Sequence, residues 1–419
     1  MEVLSKESIY DGRNKNSFEK VAAKKGNPNY EKIIAREKKL YNSETDIRSN
    51  FQRDHNRIIH SNAFKRLRHK TQVYYSPNLD HICTRIEHVN LVESISYTIA
   101  NEFGLNTELT RAIAVGHDIG HSPFGHAGEK MLNEIMERDV KESFWHEKNG
   151  LYLVDNIELL ENKDGNKQNL YLTYAVRDGI VSHCGEIDEN SVKPREEYID
   201  LDDYKCVGQY QPYTWEGCVV KISDKISYIW RDIEDAFRFN ILTEESLKEL
   251  CNILKIDEKN QKKLNNTNII NDLSGDLLNN SSPEKGLTFS EYGLKTMNAI
   301  KAFNYKNIYG SDKLKQSHDY FRLVINKIYN LFKSIYDEEK KTIVIDEYKQ
   351  RVYGDIIEEF LSWFERYTIK PLRGELEDLD NKKIFDIEKK EDYYKAIIIY
   401  ISGMTDNRAI ELFEEIIGF

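Results

Sequence analysis

Apolar side chains at Val219, Val220, Ile222, Ile226, Ile229 and Ile233 recur with the period of an α-helix. A segment that apolar reads as one long buried helix, and the rest of the chain has to fold around it. Three polar residues interrupt it at i, i+4 and i+8: Asp224, Tyr228 and Asp232 share one helix face. The chain must therefore build a core that also accommodates a polar stripe.

Further helical patterns dominate. Ile86, Val89, Leu91, Val92, Ile95, Ile99 and Phe103 predict a helix that Gly104 stops. A second helix starts near residue 107, with Asn106 or Thr107 as its cap. Residues 321–336, 356–364 and 393–401 predict amphipathic helices, and residues 341–346 (KTIVID) are the best strand candidate. The fold class is mainly α. Residues 161–169 read as a polar turn and 186–203 as an acidic, irregular stretch. Residues 260–285, rich in Asn, Ser and Lys, read as a flexible excursion or a weak boundary and not as core. Gly116 and Gly120 do not form a dinucleotide fingerprint.

At 419 residues the chain is long enough for one large domain or two ordinary ones. No run approaches the ~20 apolar residues that span a bilayer. The polar N-terminus does not resemble a secretion signal, so a cytoplasmic location is expected. The five cysteines are scattered and form no CxxC pair, which predicts reduced, mostly buried thiols. The net charge of −11 argues against a general nucleic-acid binder. Between residues 48 and 70, however, five arginines and two lysines face one aspartate, a formal +6. That island suits a local anionic ligand or pairing with acids elsewhere in the fold.

An adjacent His117-Asp118 pair, a histidine upstream (His88) and an aspartate downstream (Asp224) make a scattered N/O ligand set. Such a set predicts one divalent ion with an open position for water activation. Two imidazoles and two carboxylates suit Mn, Mg, Fe, Ni or Co better than a structural zinc. Each residue has a plainer reading: a single histidine on an apolar helix is usually a satisfied core or surface residue, and a His-Asp dipeptide is common. His117 and His121 have zinc-protease spacing, but position 118 is Asp where that chemistry needs Glu. The context adds weight, because His121, His126 and Glu129 follow within a few helical turns.

These blocks resemble the HD-domain deoxynucleoside triphosphate triphosphohydrolases, the dGTPase family. The similar segments run in order: residues 48–54 (RSNFQRD), 63–73 (AFKRLRHKTQV), 84–88 (TRIEH), 117–129 (HDIGHSPFGHAGE), 176–180 (VRDGI), 223–228 (SDKISY) and 401–406 (ISGMTD). The resemblance covers residues 48 to 415. It implies cleavage of a dNTP, dGTP or several dNTPs, into deoxynucleoside and inorganic triphosphate. It also implies a multi-helical HD-domain metallohydrolase core with a helical C-terminal extension, and usually a homo-oligomer. In that division residues 1–47 are an N-terminal extension, 48–240 the catalytic core, 241–290 a polar insert or linker, and 291–419 a helical region completing the core. The resemblance assigns the metal to His88, His117, Asp118 and Asp224. Arg85, His121, His126, His146 and Lys225 would meet phosphates or act in chemistry, and Gln72, Tyr228 and Asp232 would face the sugar. Val73 beside Gln72 would touch base or sugar.

Spacing agrees in places. Arg85 lies three residues before His88, so both can face one ligand, and a guanidinium suits phosphate oxygens. Glu129, three residues beyond His126, can orient its ring. A histidine titrating near ~6.5 can give or take a proton at neutrality, so His126 and Glu129, with His121, are the expected catalytic residues. Two other readings stand beside this one. One is a different HD-type nucleotide phosphohydrolase, which would share the four metal residues. The other is a non-catalytic assembly that senses nucleotide or single-stranded DNA through the basic stretch.

Overall fold

The computed structural model describes residues 10–40, 46–72, 83–184, 190–257, 261, 263–370 and 378–418. Among them are sixteen α-helices: α1 (Tyr30–Ile33), α2 (Asn50–His60), α3 (Asn62–Arg66), α4 (Arg85–Phe103), α5 (Thr107–Gly116), α6 (Gly125–Asp139), α7 (His146–Tyr152) and α8 (Tyr174–Ser182) in the first half. The long α9 (Trp215–Arg238) is followed by α10 (Glu244–Leu254), α11 (Asn266–Asn280), α12 (Glu291–Asn304), α13 (Asp312–Lys333), α14 (Glu347–Phe364), α15 (Lys390–Ser402) and α16 (Asp406–Ile417). The fold is mainly α. Strands are short: β1 (Leu159–Glu161), β2 (Lys167–Asn169), β3 (Tyr336–Asp337), β4 (Thr342–Ile343) and β5 (Leu379–Asp380). β1 and β2 form a hairpin that β5 joins in parallel, and β3 pairs antiparallel with β4. The KTIVID strand thus shrinks to two residues, because β3, with which it pairs, is equally short.

Local signals set the helix ends that matter for the site. The Glu87 carboxylate accepts from the Thr84 N–H at 2.7 Å and starts α4, and Gly104 at φ +74° ends it. The Asn106 side chain accepts from the Glu108 and Leu109 N–H groups, so Asn106 is the cap of α5. Thr214 caps α9 by accepting from the Gly217 N–H.

Two apolar clusters make up the core. One gathers the buried faces of α2, α5, α6 and α8 with those of α13 to α16. The other joins the outer face of α9 to α10, α11 and α12. α4 and α9 serve both: Val89, Val92 and Val220 lie in the first cluster, and Ile95, Ile99, Ile222, Ile226 and Ile229 in the second. α13 and α15 pack on α6, so the C-terminal region covers the central helices directly. Residues near the N-terminus are also built in: Phe18 packs on Phe103 and Trp215.

One expectation is corrected. Residues 263–285 are not a polar excursion outside the core. They contain α11, whose Ile269, Leu273 and Leu277 are fully buried against α9 and α4. The Asn-rich composition hid a 3–4 apolar repeat, and the asparagines lie on the remaining faces.

Candidate metal centre and active site

α4, α5 and α9 carry the four expected ligands to one place. His88 comes from the first turn of α4, and Asp224 from mid-α9. His117 and Asp118 stand where α5 ends and the chain turns. His88 Nε2 lies 3.0 Å from Asp224 Oδ1 and 3.9 Å from Asp118 Oδ2. His117 Nε2 lies 3.4 Å from His88 Nε2, 3.6 Å from Asp118 Oδ1 and 3.8 Å from Asp224 Oδ1. Atoms each ~2.1 Å from one ion are separated from one another by about 3 to 3.5 Å, so this is nearly a coordination shell.

Hydrogen bonds assign the tautomers. His117 Nδ1 donates to the Ala114 carbonyl at 2.7 Å, which leaves the Nε2 lone pair facing the centre. Ser227 Oγ gives its own hydrogen to the Asp224 carbonyl and so accepts from His88 Nδ1, leaving that ring's Nε2 lone pair inward too. Four acceptors therefore converge in a buried pocket, and a divalent cation fits them. Burial alone would raise both carboxyls, but neighbouring cations and imidazoles outweigh it. Asp118 is held well below the usual range by His121, Arg85 and His117, and Asp224 falls to about 2 beside His88 and His117.

Around this centre the other expected residues divide. Arg85 Nη1 donates to Asp118 Oδ2 at 2.8 Å, so its guanidinium is tied to a ligand and almost wholly buried. His121 Nε2 lies 2.9 Å from Asp118 Oδ1, and its ring stacks on His146 at 3.8 Å. Glu129 accepts from His146 Nδ1 at 3.0 Å and meets His126 Nδ1 at 3.3 Å, so one carboxylate orients two rings. Burial, the largest effect, would raise the Glu129 carboxyl, but the two histidines hold it well below its ordinary value. His126 is the open member of the group, its side chain 75% exposed. Gln72 arrives beside Arg85, its carbonyl accepting from Nη2 at 3.3 Å. Its side-chain Oε1 is buried without a partner. Tyr228 and Asp232 follow Asp224 by one and two turns of α9, and Lys225 is buried on the same helix. Val73 lies outside the described residues.

Close backbone approaches shape the loop between α5 and α6. A Cβ on Gly120 would stand 2.0 Å from the His146 carbonyl oxygen and 2.2 Å from the Gly150 nitrogen, so only glycine lets α7 dock there. Phe124 takes φ +64°, a strained value for a side chain of its size. Its N–H donates to Asp406 Oδ1 at 2.9 Å and its ring stacks on Phe321 at 4.2 Å. Asp406 Oδ2 also accepts from the Thr71 N–H and hydroxyl. The buried Lys70 donates to the His121 and Ser402 carbonyls. The ISGMTD block is therefore a clamp on the HD loop.

Two kinds of residue escaped sequence reasoning. Tyr309, on the π-helical turn Tyr305–Tyr309, donates its hydroxyl to Asp232 Oδ2. No local pattern predicts that pairing across 77 positions. Glu147 and His183 are buried beside His146 and His117. Their nearness to the quoted His146 and to the 176–180 block was the available signal.

The basic stretch is partly spent on structure: Arg57 donates to the Leu170 and Asn169 carbonyls, and Arg66 pairs with Glu158. Arg48, Arg53, Arg57, His60, Lys65 and Lys167 nevertheless line a surface cavity of about 500 Å³. Among the described residues no helix is long and apolar enough to cross a membrane.

Comparison with known proteins places this geometry in a lineage. The HD domain family profile matches residues 85–229, the span that delivers His88, His117, Asp118 and Asp224. A deoxyguanosinetriphosphate triphosphohydrolase-like protein of Caldanaerobacter subterraneus subsp. tengcongensis is 38% identical over 71% of this chain and 76% of its own length. A Clostridium tetani protein of the same description is 31% identical over 89% and 87%, and one from Rickettsia felis 30% identical over 89% and 92%. Relatives this similar over most of both lengths, together with the HD domain this chain carries, make the chain a member of the deoxyguanosinetriphosphate triphosphohydrolase-like family.

Proposed function

We propose that the protein hydrolyses a deoxynucleoside triphosphate, dGTP or several dNTPs, to the deoxynucleoside and inorganic triphosphate. The observation that carries this reading is the convergence of four acceptor ligands beside the His126–Glu129 pair. Tyr228 and Asp232 continue the same face of α9 beyond Asp224. His88, His117, Asp118 and Asp224 would hold one divalent ion, Mn or Mg first and Fe, Ni or Co as alternatives. When bound, such an ion supplies charge neutralisation at phosphate and lowers the pKa of water.

The chain's own groups do the rest. Attack at the α-phosphorus expels the 5'-oxygen, a poor leaving group that needs a proton. His126 turns Nδ1 to Glu129 and leaves Nε2 as the atom that carries the proton. Arg85, His121 and Lys225 furnish cationic or hydrogen-bonding groups for the triphosphate oxygens, and His146, held by Glu129, stands beside them. Asp232, with Gln72, binds the 3'-hydroxyl, and Tyr228 occupies the space a 2'-hydroxyl would need. A site that binds through a hydroxyl rejects analogues lacking it strongly.

Incubation with each dNTP and NTP plus Mn or Mg, with the products resolved, tests the reading. Intact triphosphate and deoxynucleoside are expected; pyrophosphate or monophosphate would favour a different HD phosphohydrolase. The basic cavity near Arg53 and Lys65 supports an anionic effector, a nucleotide or single-stranded DNA, acting on a homo-oligomer. Activation that weakens with added salt, together with light scattering, checks that part.

A further inference from the structure

Next to the HD ligands lies a second donor set to which the triphosphohydrolase reading gives no collective role. His146, Glu147, His183 and Cys184 each offer a ligand atom, and these atoms lie within 4.8 Å of one another. They come from α7 and from the end of α8, so the packing of these two helices creates the set.

Its hydrogen bonding follows the pattern of the HD centre. His183 Nδ1 donates to the Ile180 carbonyl at 2.7 Å, just as His117 Nδ1 donates to that of Ala114. The His183 Nε2 lone pair is left free, and that atom has no hydrogen-bond partner although the residue is only 2% exposed. His146 Nδ1 donates to Glu129, which turns its Nε2 toward Cys184 Sγ, 3.6 Å away. A carboxylate or carbonyl behind each imidazole is the usual outer support of a metal-bound histidine. Glu147 completes the set: it is 1% exposed, and the Cys184 thiol is its hydrogen-bonding neighbour. Its nearest cationic neighbour is the edge of His146, 3.3 Å from Oε2. A buried carboxylate faced only by a thiol and a ring edge keeps much of its desolvation cost, and a coordinated cation removes it.

We propose that His146, Glu147, His183 and Cys184 bind a second divalent transition metal beside the HD ion. Two imidazoles, a carboxylate and a thiolate form a donor set of borderline softness, suited to Zn, Co or Fe and poorly suited to Mg or Ca. Binding displaces the Cys184 thiol proton to solvent. The thiolate and the Glu147 carboxylate then balance the two positive charges, while Lys221 stays on the Cys184 carbonyl at 2.8 Å. His183 stands between the two centres, since it also groups with His117 and Asp118. The proposal does not depend on which nucleotide is the substrate.

Cobalt titration of the full-length, chelator-stripped protein tests it. Bound Co(II) is counted by atomic absorption after desalting, and a thiolate-to-cobalt charge-transfer band is followed in the near ultraviolet. Two ions per chain and a clear band are expected. Cys184→Ala should abolish the band and bring the count from two to one, and His183→Ala should lower the count in the same way. His88→Ala should lose the other ion and keep the band. Cys184→Ser, with circular dichroism as the check on folding, separates ligand loss from unfolding. One ion per chain in the unaltered protein, or two ions whose number and spectrum ignore Cys184 and His183, would overturn the proposal. Dependence on product chemistry is absent from these readouts, so the triphosphohydrolase reading can fail without affecting them.

Discussion

His126 and Glu129 lie three residues apart, and at the residue scale that spacing becomes a contact with a consequence. Glu129 is ionised and holds two imidazole rings, and only His126 reaches solvent. His126→Ala should lower kcat by about 10²- to 10⁴-fold and leave nucleotide affinity within a few-fold. Steady-state kinetics with an equilibrium binding assay decides it, and unchanged turnover would remove the residue from the chemistry. Asp232 makes a pH prediction. Burial raises its carboxyl to about 6, against the opposing hydrogen bond from Tyr309. Between about pH 4 and 6 the folded carboxyl holds a proton that the unfolded chain has lost. Stability from this group is thus present at the acid end and declines as pH rises through that window, by roughly 3 kcal/mol in total. In Asp232→Asn, urea midpoints measured at pH 5 and pH 7.5 should differ less than in the unaltered protein. A gap of the same size in both would refute the assignment. The candidate ligands were legible at this scale because residue type carries the chemistry. Tyr309 was not, because its role exists only through its contact with Asp232.

Among the elements, the HD loop between α5 and α6 depends on groups far away in the chain. Asp406, at the start of α16, accepts from Phe124, Thr71 N–H and the Thr71 hydroxyl, so both its oxygens are engaged. An amide there would turn a donor toward donors. Asp406→Asn should cost about 1–3 kcal/mol and reduce kcat about tenfold or more, through a loosened Phe124–His126 turn. Thermal unfolding and kinetics together test this, and normal turnover in the folded variant would show that the clamp does not position the site. Gly120→Ala should destabilise by about 1–3 kcal/mol or more, because α7 cannot retreat without moving His146. An unaltered melting temperature would contradict the close approach. Helix positions were readable from the 3–4 apolar repeat wherever polar composition did not mask it. α11 was missed because its five asparagines outnumber its four buried hydrophobic residues, Ile269, Leu273, Leu277 and Leu278.

For the molecule as a whole, α4 and α9 are the shared walls of two apolar clusters, and the proposed metal ligands emerge where those clusters meet. An ion bridging α4, the end of α5 and α9 would bind the folded chain only, and so would stabilise it by mass action. At 100 times its dissociation constant that amounts to ~2.7 kcal/mol. Chelation should lower the melting temperature and abolish hydrolysis, and Mn or Mg should restore both. A melting curve indifferent to chelator would show that the four ligands do not hold an ion. Removing residues 266–280 should unfold the protein and not merely trim it, because Ile269, Leu273 and Leu277 sit fully buried in the second cluster. Loss of the helical circular-dichroism signal is the measurement.

By itself the chain's order of residues determined that the fold is mainly α, where α4 ends and α5 begins, and which side chains can ligate or transfer a proton. Those properties follow from short-range periodicity, capping and side-chain chemistry. Packing alone decided the rest. It brought Asp224 within 3.0 Å of His88 across more than a hundred positions, turned Arg85 onto Asp118, set Asp406 against Phe124, and drew Glu147, His183 and Cys184 together. Such contacts depend on how two clusters of apolar surface close around shared helices, and no local spacing encodes that closure.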